Sequence, residues 1–138
     1  MILYKIADPH EADLLKPIFT ENAVPFDTAI LRQFLREPTC QLYLAIEDEV
    51  VIAYAYAHLQ LHPDGRVTQF INNLFVSKTH RRRGIATELL GFALDDAAEI
   101  GCHESLMSAD PLNGGVRRLM KKFPHDTTDE RQFSIKLR

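Results

Sequence analysis

The chain has 138 residues, 46% of them apolar and 25% charged, a globular balance that excludes disorder and fits one domain. Lys and Arg total 16 and Asp and Glu 19, so the formal charge of −3 argues against a coat on nucleic acid or on an anionic membrane. Two cysteines, Cys40 and Cys102, cannot build a disulfide framework, and no metal cluster is expected from their spacing.

At the start of the chain, Met1–Lys5 shows no long apolar run after a basic start, so no secretory leader is expected. No stretch of about 18 apolar residues follows, so no membrane span is expected either, and the expected location is cytoplasmic. Ile2–Ala7 reads as a short strand. Asp8 caps and Pro9 opens a helix whose Leu14, Leu15, Ile18 and Phe19 recur at helical spacing and should face the core. Asp27 caps a second helix that should bury Ile30, Leu31, Phe34 and Leu35, and Glu37–Pro38 stops it. Gln41–Ile46 and Val50–Leu59 read as strands joined by a hairpin at Glu47–Asp48–Glu49. The turn His62–Gly65 leads to a third strand, Val67–Val76, which completes an antiparallel meander. The linker Ser77–Arg83 precedes a long helix, Gly84–Ile100, with one broad apolar face and Gly101 as terminator. Ser105–Ala109 is a further strand, Val116–Phe123 a short basic helix, and the alternating Gln132–Leu137 a final strand. Strands with helices inserted predict a single mixed α/β (α+β) domain over 1–138.

The most informative stretch runs from Asn73 to Thr87. An apolar strand ends, a basic loop Arg81–Arg82–Arg83 follows, and Gly84 stands where the long helix begins. A helix start presents amides without intrahelical partners and the positive end of the macrodipole. With nearby arginines, and a glycine that lets the ligand approach the backbone, this reads as a cradle for pyrophosphate. The plain reading of the same residues is a solvated basic loop before an ordinary helix. A Walker phosphate loop and a dinucleotide fingerprint are both excluded, the first by the absence of Gly-Lys-Ser/Thr and the second by the lone glycine.

Arg81-x-x-Gly84-x-Ala86, preceded by Leu74-x-Val76 and followed by Leu89–Leu90, resembles the acetyl-coenzyme A motif of the GNAT (Gcn5-related) N-acetyltransferase superfamily. The element order fits over nearly the whole chain. The resemblance implies a mostly antiparallel central sheet with helices on both faces, and acetyl-CoA as cosubstrate without a metal. It implies that Leu74, Phe75 and Val76 pair their backbone with the pantetheine arm. Arg81, Arg82, Arg83, Gly84, Ile85, Ala86 and Thr87 would grip the pyrophosphate, and Asn113 would bond the pantetheine or position the thioester.

Two departures bear on catalysis. The family's general-acid tyrosine falls on Met120, whose thioether has no proton to give. The family's strand carboxylate falls on Asn72 and Asn73, and neither amide is a base. An acceptor ammonium with a pKa around 10 must still lose a proton before it attacks. The substitutes are Asp110, otherwise a loop cap, and His58, otherwise a half-exposed strand residue. Tyr54, Tyr56 and His58 share a strand face and could line an acceptor cleft. Glu47–Glu49 reads as a solvated turn, or as an acidic rim for a cationic acceptor.

The reading is an N-acetyltransferase acting on a primary amine of a small molecule, aminoglycoside- or polyamine-like, by direct attack in a ternary complex. A protein or peptide acceptor stays open, as does an acetyl-CoA-binding module with little or no turnover. No nucleic-acid or membrane partner is expected, and pairing as a homodimer is left open.

Overall fold

Alternating apolar residues and tight turns set the sheet, and its order follows the chain. The computed structural model describes residues 1–109 and 112–137. Strands β1 (Ile2–Ile6), β2 (Cys40–Glu47), β3 (Val50–Leu61), β4 (Val67–Val76) and β5 (Glu104–Met107) lie side by side in that order. The first four are antiparallel neighbours, whereas β5 runs parallel to β4 after a helical crossover. Asp48 and Glu49, both at positive φ, make the tight turn between β2 and β3.

The helices are α1 (Lys16–Glu21), α2 (Thr28–Arg36), α3 (Ile85–Ile100) and α4 (Gly114–Met120). On one sheet face, Ala53, Ala55 and Ala57 of β3 keep the surface shallow, and Leu89, Leu90 and Ala93 of α3 seat against it. On the other face, Leu42, Leu44, Val51 and Tyr54 meet Ala12, Leu15, Ile18 and Leu31. A buried polar chain ties the first layer together. The Tyr43 hydroxyl donates to Asp96 on α3 at 2.6 Å and accepts from Gln69 at 3.0 Å. Gln69 also donates to the Ala93 carbonyl at 3.2 Å and accepts from Ser105 at 2.6 Å. Burial, first, and then the bond to Asp96 hold the Tyr43 phenol well above its ordinary pKa.

Three sequence expectations are corrected. The first helix is not one α-helix: Pro9–Leu15 winds as a 3₁₀ helix and α1 follows. Pro17 lacks the N–H that a continuous α-helix would aim at Asp13, and Lys16 bonds Asp13 three residues back instead. The three-residue period turns Ala12, Leu15 and Ile18 inward and leaves Leu14 exposed. Ile30, in the first turn of α2, is also exposed rather than buried. Finally, residues 124–137 form no helix or strand, and Phe133, Ile135 and Leu137 face solvent. Alternation gives a segment strand character, but a strand forms only with a partner edge, and none among the described residues pairs with it. Among the described residues, no helix is long and apolar enough to cross a membrane.

Candidate functional site

The site begins with a discontinuity in β4. It pairs with β5 only over Thr68–Ile71. The next residue, Asn72, is surplus: Tyr56 of β3 faces Asn73 while Ala57 faces Ile71. Such a bulge bends its strand and strengthens the local twist. Beyond it, Asn73–Val76 continue along β3 while β5 ends at Met107, so among the described residues the β4 edge lies open.

The polarity of that edge follows from one bond. Ser77 N–H donates to the Ile52 carbonyl at 2.8 Å. Antiparallel ladders alternate, so Phe75 also turns its N–H toward β3, whereas Leu74 and Val76 direct theirs to the open side. Between Phe75 and Val76 at the end of the strand, Val76 is therefore the residue whose N–H is presented to a bound carbonyl. Its carbonyl is occupied, because Arg81 Nε donates to it at 3.0 Å and the guanidinium lies 5.5 Å from the Phe75 ring centroid.

The three arginines divide their work. Arg81 seals the end of β4 as described. Arg83 forks onto Glu47, at 3.0 and 2.7 Å, and so pins the loop to the β2–β3 hairpin. This bond holds the Glu47 carboxyl below its ordinary range, so Glu47 is an anchor and not a solvated turn residue. Arg82 is exposed, sits at φ 64°, and makes no ion pair recorded among the described residues. A second carboxylate, Glu21 at the end of α1, accepts from Lys78 N–H and Ser77 Oγ, each at 2.8 Å. The Lys78 bond above all holds it below the usual carboxylate range. No local pattern in the sequence points to Glu21, because its partners lie more than fifty positions away.

Gly84 is the N-cap of α3, at φ 78°. Ile85, Ala86 and Thr87 open the helix, and the first intrahelical bond is made by Glu88, which donates to Gly84. Their amides therefore have no intrahelical acceptor. A Cβ built on Gly84 would meet nothing within 4 Å, so the space beside the backbone is open to a ligand. Successive amides around left-handed residues concentrate positive potential on an anion. Lys122, following α4, reaches Thr87 Oγ1 at 3.2 Å and adds a cation nearby. These residues fit a pyrophosphate, and the open β4 edge lies at the same end of the sheet.

The remaining residues expected from sequence are placed less favourably. Asn113 caps α4, its side-chain oxygen accepting from Val116 N–H at 3.2 Å. Met120 packs against the core. Asp110 lies outside the described residues. His58 lies level with Phe70 and stacks on its ring, on the order of 10 Å along the sheet from Leu74. Its Nδ1 is 2.8 Å from the Asn72 amide nitrogen, an arrangement that leaves the proton of a neutral ring on Nε2. The bulge turns both asparagines toward the face that carries Tyr54, Tyr56 and His58. There a cleft of about 380 Å³ opens between that face and the helices, walled by Phe19, Phe26, Ile30, Phe34, Tyr54 and Tyr56.

This arrangement has known counterparts. A family model described as Acetyltransferase (GNAT) family matches residues 9–123. The chain belongs to this family. It is an acyl-CoA-dependent N-acetyltransferase. N-alpha-acetyltransferase 30 of Saccharomyces cerevisiae is 24% identical over 127 residues, covering 86% of this chain and 72% of that protein. The solved ribosomal-protein-alanine N-acetyltransferase of Brucella melitensis biovar Abortus 2308 superposes with a TM-score of 0.82 at 17% identity, over 99% of this chain and 100% of that one. The aminoglycoside N-acetyltransferase AAC(6')-Iy, solved in complex with CoA, gives a TM-score of 0.85 at 19% identity, over 99% and 95%. At these identities the two structures speak for the fold, and the family assignment brings the acyl-CoA chemistry.

Proposed function

We propose that the protein acetylates a primary amine of a small molecule, in a ternary complex with acetyl-CoA and without a covalent enzyme intermediate. The observation that carries this reading is the meeting, at one end of the sheet, of the open β4 edge and the unpartnered amides of α3, with a separate cleft under α1 and α2 whose tyrosine wall on β3 pairs with β4. Acetyl-CoA supplies an acetyl group activated as a thioester. Ile85–Thr87 and Arg82 hold its phosphates, Leu74 pairs with its amide-bearing arm, and Asn113, whose oxygen is taken by the α4 cap, steadies that arm through its amide nitrogen. Val76 N–H faces the place where negative charge develops on the carbonyl oxygen. The amine nitrogen forms the new C–N bond as the C–S bond breaks, and its surplus proton passes to solvent. The leaving thiol resembles a cysteine, with a pKa of about 8.5, so departure as thiolate at neutral pH is tolerable without an acid at Met120. Asn72 and Asn73 orient the acceptor or a water. The proton that the ammonium loses before attack needs a base, for which His58, held at Nδ1 by the Asn72 amide, and Asp110 are the candidates. Positioning two reactants can account for much of the rate where acid and base groups are weak.

The test is calorimetric titration with acetyl-CoA, followed by thiol release against small amines, polyamines, aminoglycosides and peptides. Binding with release from a small amine supports the reading. Binding without release from any acceptor favours the module without turnover, and release from peptides alone favours a protein acceptor. Gly84→Glu should lose acetyl-CoA binding. A side chain at φ 78° also costs about 1–2 kcal/mol of fold stability, so Gly65→Glu, at φ 90° in a remote turn, is the matched control and should keep binding.

A further inference from the structure

The cleft between α1, α2 and strands β2 and β3 has a composition that restricts its occupant. Its walls are three phenylalanines, two tyrosines and aliphatic residues. Among the described residues that line it, Asp27 is the one charged side chain, and its carboxylate already accepts from Ile30 N–H as the cap of α2. The rings are partnered edge to face, Phe34 on Tyr56 at 6.1 Å and 88°, and Phe19 on Phe26 at 6.1 Å and 86°. Below them the Tyr54 hydroxyl accepts from Asn22 at 2.8 Å, which satisfies the floor. The acidic residues that might have drawn a cationic acceptor lie elsewhere: Glu47 is forked by Arg83 and Glu21 holds the loop after β4. A polyamine or aminoglycoside carries several ammonium groups, each with N–H donors that lose water on entering such a cleft and find few acceptors. A body with one amine and an aromatic ring loses little and buries its ring among rings. The volume of about 380 Å³ is ample for a single ring and a short chain.

We infer that the acceptor is an arylalkylamine, a single primary amine borne on an aromatic body. The ring occupies the Phe19–Phe26–Phe34 cleft, and the amine points past Tyr56 toward the bulge at Asn72–Asn73. This rests on the transferase reading above and names the acceptor for it. Tyr56 faces Asn73 and Tyr54 faces Phe75 across the β3–β4 ladder, so the tyrosine wall borders the strand segment whose far edge is open.

The experiment compares 2-phenylethylamine with spermidine and kanamycin, using thiol release from acetyl-CoA, in the wild type and in Ile30→Glu. Ile30 is 68% exposed at the rim of the cleft, so the change removes little packing. It occupies the third helical position after the Asp27 cap, where an acidic residue completes a capping box and suits the helix dipole, so the variant should fold. The expected result is a kcat/KM for 2-phenylethylamine at least tenfold above either polycation. In Ile30→Glu, its KM should rise at least tenfold, the acetyl-CoA KM should stay within twofold, and spermidine should gain. Preference of the wild type for spermidine or kanamycin would overturn the acceptor class while leaving the transferase intact. So would an unchanged 2-phenylethylamine KM in the folded variant. Absence of thiol release with every amine would overturn the transferase reading, and the acceptor class with it.

Discussion

Tyr43 shows how one hydroxyl can hold three elements. It donates to Asp96 and accepts from Gln69, and Gln69 in turn has both amide hydrogens and its oxygen engaged. Tyr43→Phe removes a bond to a carboxylate and leaves Asp96 and Gln69 each short of a partner. We expect it to lower unfolding free energy by about 1–3 kcal/mol, read from urea denaturation. The anchoring carboxylates behave differently because they lie at the surface. Glu47→Gln should raise the acetyl-CoA KM by no more than a few-fold, and less at high salt, because exposed pairs contribute little. Glu21 gives a pH signature. Its folded-state pKa lies below the unfolded value, so its contribution to stability is complete above the ordinary glutamate value of about 4.3. That contribution is lost as pH falls through the depressed folded value. Melting curves of wild type and Glu21→Gln should therefore differ at neutral pH and converge under acid conditions.

Among the elements, β4 is the one that the bulge at Asn72 bends. Deleting Asn72 would restore regular pairing with β3 while keeping Leu74 and Val76 on their present face, because the surplus residue is the one removed. The expected protein is at least as stable, with straighter pairing, and binds acetyl-CoA at least tenfold more weakly, by calorimetry. This bulge was not legible in the sequence, where Val67–Val76 reads as one unbroken strand; only burial shows Gln69 and Ile71 inward at odd positions and Leu74 and Val76 inward at even ones. The meander, the long helix and the glycine at its start were legible, since each rests on a local period or a cap. The division of labour among Arg81, Arg82 and Arg83 was not, because it is decided by Val76 and Glu47, which only tertiary structure brings near. The 3₁₀ segment turned on Pro17, a local signal outweighed by the apolar spacing around it.

At the scale of the whole molecule, the sheet separates the α3 layer from an apolar cleft under α1 and α2. Residues 124–137 add no strand to this plan, and Phe133, Ile135 and Leu137 stand 85%, 82% and 88% exposed. Removing residues 126–138 should therefore change unfolding free energy by less than about 0.5 kcal/mol, measured by chemical denaturation. The final strand expected from alternation was misread because a period reports which residues could share a face, not whether an edge is there to receive them.

The open margin of β4 has a consequence for the resting protein. Leu74 and Val76 carry amides that a complete sheet would protect, so the ligand-free molecule is a garment with one seam unstitched. Whatever arm lies along that seam is briefly part of the weave. Deuterium uptake at these two amides should be fast in the free protein and slow when acetyl-CoA is present, while Phe75 between them stays slow throughout.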